Sequence, residues 1–121
     1  MSIQCKAWYL SHRGKARPGN EDSLLVGDKI VTQGDMTEAD AWESEGAGPF
    51  CVCVADGLGG HKGGERASAL CCEELAQMDD HSEAQLRERL QELHHAIYNE
   101  SDFDPNLAGM GTTVSGLAFM G

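Results

Sequence analysis

Apolar and polar positions divide the chain into short alternating runs, one unbroken apolar run and two helical stripes. Cys5 to Ser11 alternate and predict a strand. The polar stretch from Arg13 to Asp22, punctuated by Gly14, Pro18 and Gly19, predicts a loop. Leu24 to Val26 predict a short strand, with Ile30 and Val31 pairing nearby. Thr32 to Gly48 are acidic and glycine-bearing, which predicts a surface loop or hairpin tip. Phe50 to Ala55 is an apolar run that suits a strand buried on both faces. A glycine-rich segment follows. Ala67, Leu70, Cys71, Leu75 and Met78 then form the stripe of a helix starting near Glu65. A second helix opens on a capping box, Ser82 with Gln85, and buries Leu86, Leu90, Leu93 and Ile97. A loop from Ser101 to Gly109 leads to a last strand, Thr112 to Met120.

At 121 residues the chain has room for one modest domain. Lys and Arg number 9 and Asp and Glu 20, giving a net charge of −11. That balance argues against nucleic acid and against an anionic membrane surface as partners, since both require positive charge. No apolar run reaches the roughly eighteen residues of a membrane span, and the first residues lack a signal-peptide core. A cytoplasmic location is the expectation. The five cysteines form no C-x-x-C pair. They are expected to be reduced, buried thiols, with a zinc site as the lesser alternative.

The glycine-rich segment Gly57 to Gly64 invites a nucleotide reading that its spacing does not support. Lys62 stands where both the P-loop and the dinucleotide fingerprint need glycine. Asp102, Asp104 and Asn106 open like a calcium loop, but Leu107 occupies the turn position and Thr113 the closing acid position. Asn99-Glu-Ser101 is a glycosylation sequon without a secretory context.

The carboxylates carry more. Asp56 ends the apolar run directly before glycines, and an ionised carboxylate there needs a partner or a cation. Glu21 and Asp22 lie on another loop, with Arg17 four residues before Glu21. If the loops converge, three carboxylates meet, as hard divalent cations require, with one arginine able to grip a phosphate. Singly, each acid is equally a turn former or a helix cap.

Three motifs occur in order: Ser11-x-x-Gly14-x-x-Arg17-x-x-Asn20-Glu21-Asp22-Ser23, then Val54-Ala-Asp-Gly-Leu-Gly-Gly-His61-x-Gly-Gly-Glu65-x-Ala-Ser68, then Gly109-Met-Gly-Thr-Thr113. Together they resemble the N-terminal half of the PPM-type (type 2C) metal-dependent protein phosphatases, and the bacterial branch in particular. The resemblance spans nearly all of residues 1–121 except the acidic segment 32–48. It implies an α+β fold: a four-layer αββα sandwich of two antiparallel sheets flanked by helices, here an incomplete N-terminal portion. It implies hydrolysis of phosphoserine and phosphothreonine in proteins by water activated between two Mn or Mg ions, without a covalent phosphoenzyme. Asp56 would bridge the metals. Glu21 and the Gly57 carbonyl would complete one site, and Asp22 would ligate directly or through water. Arg17 would hold the substrate phosphate. Leu58 stands where the animal branch has a histidine acid. His61 is the candidate general acid here, or else a histidine that shapes the glycine turn.

The family domain is about twice this length, and its later motifs supply further aspartates, including those of a third, weaker metal site. The resemblance therefore implies that this portion alone is inactive and exposes apolar strands. The partners it implies are a phosphorylated protein substrate and an opposing serine/threonine kinase. The alternatives are a catalytically inactive phosphatase-like regulatory module and an unrelated phosphate-binding module.

Overall fold

The computed structural model describes residues 4–46, 48–59 and 62–120. The long strand β5 (Phe50–Leu58) is its axis. It lies between β2 (Asp22–Val26) on one side and β6 (Gly111–Thr112) and β7 (Ser115–Phe119) on the other, and β3 (Lys29–Thr32) forms the far edge beyond β2. All pairings in this five-stranded sheet are antiparallel. A separate two-stranded sheet joins β1 (Lys6–Tyr9) to β4 (Asp40–Glu43). Two helices follow β5, α1 (Gly63–Ala76) and α2 (Glu83–Phe103).

The alternation of side chains along β5 decides the layering. Cys51, Cys53 and Ala55 are buried beneath α1, in a core with Leu25, Leu70, Cys71, Cys72 and Leu75. Leu93 joins that core from α2. The opposite face carries Val52, Val54 and Asp56. The apolar run is therefore not buried on both faces, because here the helices cover one side only. Val54 and Leu117 are 55% and 63% exposed. They border an open groove whose other wall is Ala7 to Leu10 of the two-stranded sheet. The chain is thus α+β, with helices, a sheet and part of a second sheet in successive layers.

Three boundaries differ from the sequence pattern. β4 lies within the acidic 32–48 segment, expected to be a loop or hairpin tip. Its charged residues face solvent while Trp42 packs against Phe50, the ring centroids 5.1 Å apart. The last strand is broken at Thr113 and Val114, because the Thr113 amide turns to donate to the Asp56 carbonyl at 3.0 Å. The helix begins at Gly63, ahead of Glu65. The cap of α2 forms as its sequence suggests, with Ser82 Oγ accepting from the Gln85 amide at 3.4 Å.

The thiols of Cys51, Cys53, Cys71 and Cys72 are free and buried. Burial, and then the neighbouring Cys53 and Cys51, push the Cys71 thiol up to about 12. It is a protonated, inert side chain. Among the described residues no three His, Cys, Asp or Glu side chains are grouped to hold a metal.

Arg66 of α1 and Glu100 of α2 form a two-pronged pair, at 2.8 and 2.7 Å. The Arg66 hydrogen bond is the chief reason that the Glu100 carboxyl lies below the usual glutamate range. A carboxylate lowered on folding stabilises the protein above its unfolded pKa, and that stabilisation is lost as pH falls through the folded value. The pair is over a third exposed, so its worth is below about 1 kcal/mol. Glu100→Gln should lower the urea midpoint slightly at neutral pH. The gap from wild type should close as pH drops below about 4.3, and a gap constant with pH would show that the pair is not the cause. The open groove leads to a second expectation. The chain by itself should bind hydrophobic dyes and self-associate on size-exclusion chromatography. A monodisperse, dye-silent monomer would show that the face closes in solution.

Candidate active site

β2 and β5 bring the carboxylates together through their register. Asp22 lies directly opposite Asp56, each at an end of its paired stretch and on the same face of the sheet. Burial, and next the charge of Asp56, hold the Asp22 carboxyl above the usual aspartate range. The positive charge of Arg17 pulls it back, and Glu21 raises it further. Two acids with no base between them form a donor set suited to a hard divalent cation. That is the observation by which this site fits a metal.

Glu21 does not join that pair side by side. Its Oε2 rests against Gly64, where a Cβ would stand, at the start of α1. Its backbone is equally fixed. The Glu21 carbonyl accepts from the Gly57 amide at 3.2 Å and from Ser68 Oγ at 2.7 Å. A Cβ on Gly57 would fall on the Gly64 carbonyl. The glycines at 57 and 64 are thus demanded by the contact between β5, α1 and the loop before β2.

Residues that the motifs contain, but to which sequence reasoning gave no role, build the frame. Buried Ser23 and Ser68 share a hydrogen bond of 3.0 Å between β2 and α1. Buried Asn20 donates to Ser11 Oγ at 2.8 Å and to the Gly34 carbonyl at 2.7 Å, while its Oδ1 accepts from the Asp22 amide at 3.0 Å. Their signal was a polar residue at a fixed distance from an acid. Asp35, in the acidic segment, accepts from the Arg13 amide at 2.9 Å, and the Met36 amide donates to the Ser11 carbonyl at 2.9 Å. The loop that carries Arg17 is therefore clamped at both ends, and Arg17 itself is exposed. At the far side, Thr113 ties the third motif to the Asp56 backbone. His61, the candidate general acid, lies outside the described residues.

Comparison with known proteins agrees with the motif order and the geometry. The chain is similar in sequence and in fold to a serine/threonine protein phosphatase, PstP. The serine/threonine protein phosphatase PstP of Mycobacterium tuberculosis, from strains CDC 1551 / Oshkosh and ATCC 25618 / H37Rv, is 32% identical over 116 residues. That match covers 92% of this chain and 18% of PstP. The crystal structure of the M. tuberculosis serine/threonine phosphatase PstP/Ppp aligns with a TM-score of 0.69 at 32% identity, covering 98% of this chain and 43% of that one. The chain therefore spans well under half the length of the relatives it matches. No protein-family model matches it.

Gly57→Ala tests the close contact. The new methyl must displace the Gly64 carbonyl, at a cost on the order of 3 kcal/mol, seen as a lower urea midpoint with an unchanged slope. A variant as stable as wild type would show that α1 does not sit this close to β5.

Proposed function

We propose that this chain contributes the first carboxylates and the phosphate-gripping arginine of a metal-dependent protein phosphatase domain, of which residues 1–121 form the N-terminal half. The observation that carries the reading is the Asp22–Asp56 opposition beside Arg17, on a chain homologous to PstP. Asp56, Asp22, Glu21 and the Gly57 carbonyl are the groups that would hold Mn or Mg. Such ions, when bound, acidify water and offset charge on a phosphoryl group.

The chain's own residues do the rest. Asp22 and Asp56 present their carboxylates side by side because the strand register sets them opposite each other. Glu21 lies close enough to raise Asp22 further, and it would have to leave Gly64 to hold a cation with the aspartates. Arg17, with a planar fork of donors, binds two oxygens of a phosphoserine or phosphothreonine and orients the phosphorus toward the acids. Asn20, Asp35 and Met36 keep that loop in place. His61 is the proposed proton donor to the leaving hydroxyl.

The substrate is then a phosphorylated protein and the opposing activity a serine/threonine kinase. A cytoplasmic setting belongs to the same proposal. It is supported by the free thiols and by the lack, among the described residues, of a helix long and apolar enough to cross a membrane.

Manganese and phosphate titrations separate the roles. Asp56→Asn should abolish manganese binding by the chain. Arg17→Ala should leave metal binding intact while weakening phosphate binding by roughly a hundredfold, the loss of one bidentate charged contact. Within a whole phosphatase domain, Asp56→Asn should also abolish manganese-dependent hydrolysis of p-nitrophenyl phosphate. Equal metal loss in both variants would overturn the division of labour. The 121-residue chain alone should not turn over a phosphothreonine peptide, and turnover would show that these ligands suffice.

A further inference from the structure

Two arginines stand four residues apart on the loop before β2, and their surroundings differ. Arg17 is exposed. The Arg13 side chain is committed on two sides. Its Nη1–H donates to the Pro18 carbonyl at 3.1 Å, and its Nε lies 3.4 Å from Asp35 Oδ2. The backbone amide of the same residue donates to Asp35 Oδ1 at 2.9 Å. One carboxylate of the acidic segment therefore fixes both the amide and the guanidinium of Arg13.

The bond to Pro18 closes the loop on itself. It spans five residues and ends on the residue directly after Arg17. The turn inside it is set by Gly14, at φ 82°, whose amide donates to His12 Nδ1 at 2.8 Å. A carbonyl held next to Arg17 fixes the backbone from which the Arg17 guanidinium reaches. A two-oxygen grip is sensitive to that placement, because both N–H groups must meet the phosphate together.

We infer that Arg13, held by Asp35, is a positioning residue for the phosphate grip of Arg17 and not a second ligand of the anion. The inference rests on the phosphate role proposed for Arg17. Charge alone gives Asp35 the opposite effect. A carboxylate near an anion site repels the anion, and it also occupies a guanidinium that is otherwise free to bind it. If Asp35 supports phosphate binding, it does so through Arg13 and the loop. Both side chains are partly exposed, so their ion pair adds little to global stability. Its effect falls on the placement of the loop.

Phosphate titrations of the manganese-loaded 121-residue chain decide the sign. Asp35→Asn should weaken phosphate binding about fivefold to tenfold, although it removes a negative charge. Arg13→Lys keeps the charge but loses the planar fork, and it should weaken binding by a similar factor. The double variant should be no weaker than either single one, since the two residues act as one brace. Manganese affinity and the urea midpoint should match wild type in all three variants, which separates placement of the loop from general loss of structure. Unchanged or tighter phosphate binding by Asp35→Asn, full affinity in Arg13→Lys, multiplied losses in the double variant, or a lowered manganese affinity or urea midpoint would overturn the inference, while Arg17→Ala still loses phosphate. A wild-type chain that binds no phosphate, or an Arg17→Ala variant that binds it as wild type does, marks the failure of the phosphate role itself, and the brace then has nothing to position.

Discussion

The contact on which the carboxylate end depends is the backbone approach of three segments, at Glu21, Gly57 and Gly64. The Gly57 amide reaches the Glu21 carbonyl, and the same carbonyl receives the Ser68 hydroxyl from α1. A side chain at 57 or 64 would force the helix off the strand. Because they are glycines, α1 starts flush against the end of β5, and the Asp22–Asp56 register is held just where β2 and β5 part. The aspartates are brought together by backbone geometry in spite of their charges. Their repulsion is a cost imposed by the fold, and burial of Asp22 adds to it.

Much of this was legible in the chain. The apolar run ending in Asp56, the glycines after it and the capped second helix all have local causes: strand burial, steric freedom and an orphan amide met by Ser82. The opposition of Asp22 and Asp56 was legible only as a resemblance, since no local rule specifies which strands pair, and the third acid expected with them, Glu21, lies instead against Gly64. What the pattern hid has physical reasons too. Phe50 to Ala55 looked two-sided because both faces are apolar. Half of that apolar surface faces an open groove, and periodicity records composition rather than what covers it. β4 was concealed because Asp40 and Glu43 are solvent residues of an edge strand. Only Trp42, seated between Gly27 and Phe50, marks the inward side.

The acidic segment 32–48 shows the same limit from the side of function. Its charge suggested a solvated loop. Its start is instead a clamp: Gly34, Asp35 and Met36 take up Asn20, Arg13 and Ser11 from the loop bearing Arg17. One carboxylate there satisfies a backbone amide and faces the Arg13 guanidinium, 3.4 Å from Nε. A negative residue near the loop proposed to bind phosphate would ordinarily oppose an anion. Asp35 acts on backbone and on Arg13, so Arg17 itself is left exposed for an anion.

Helix α1 gives the molecule its polarity. Its N-terminal end, the positive pole, meets Glu21 at Gly64 and holds Glu65 in its first turn. That attraction accounts for the Glu21 carboxylate resting on the helix instead of crowding Asp22 and Asp56. The negative pole at the other end of α1 has no such counterpart. It faces Glu43 and Glu45 across a cleft that no Lys or Arg lines among the described residues.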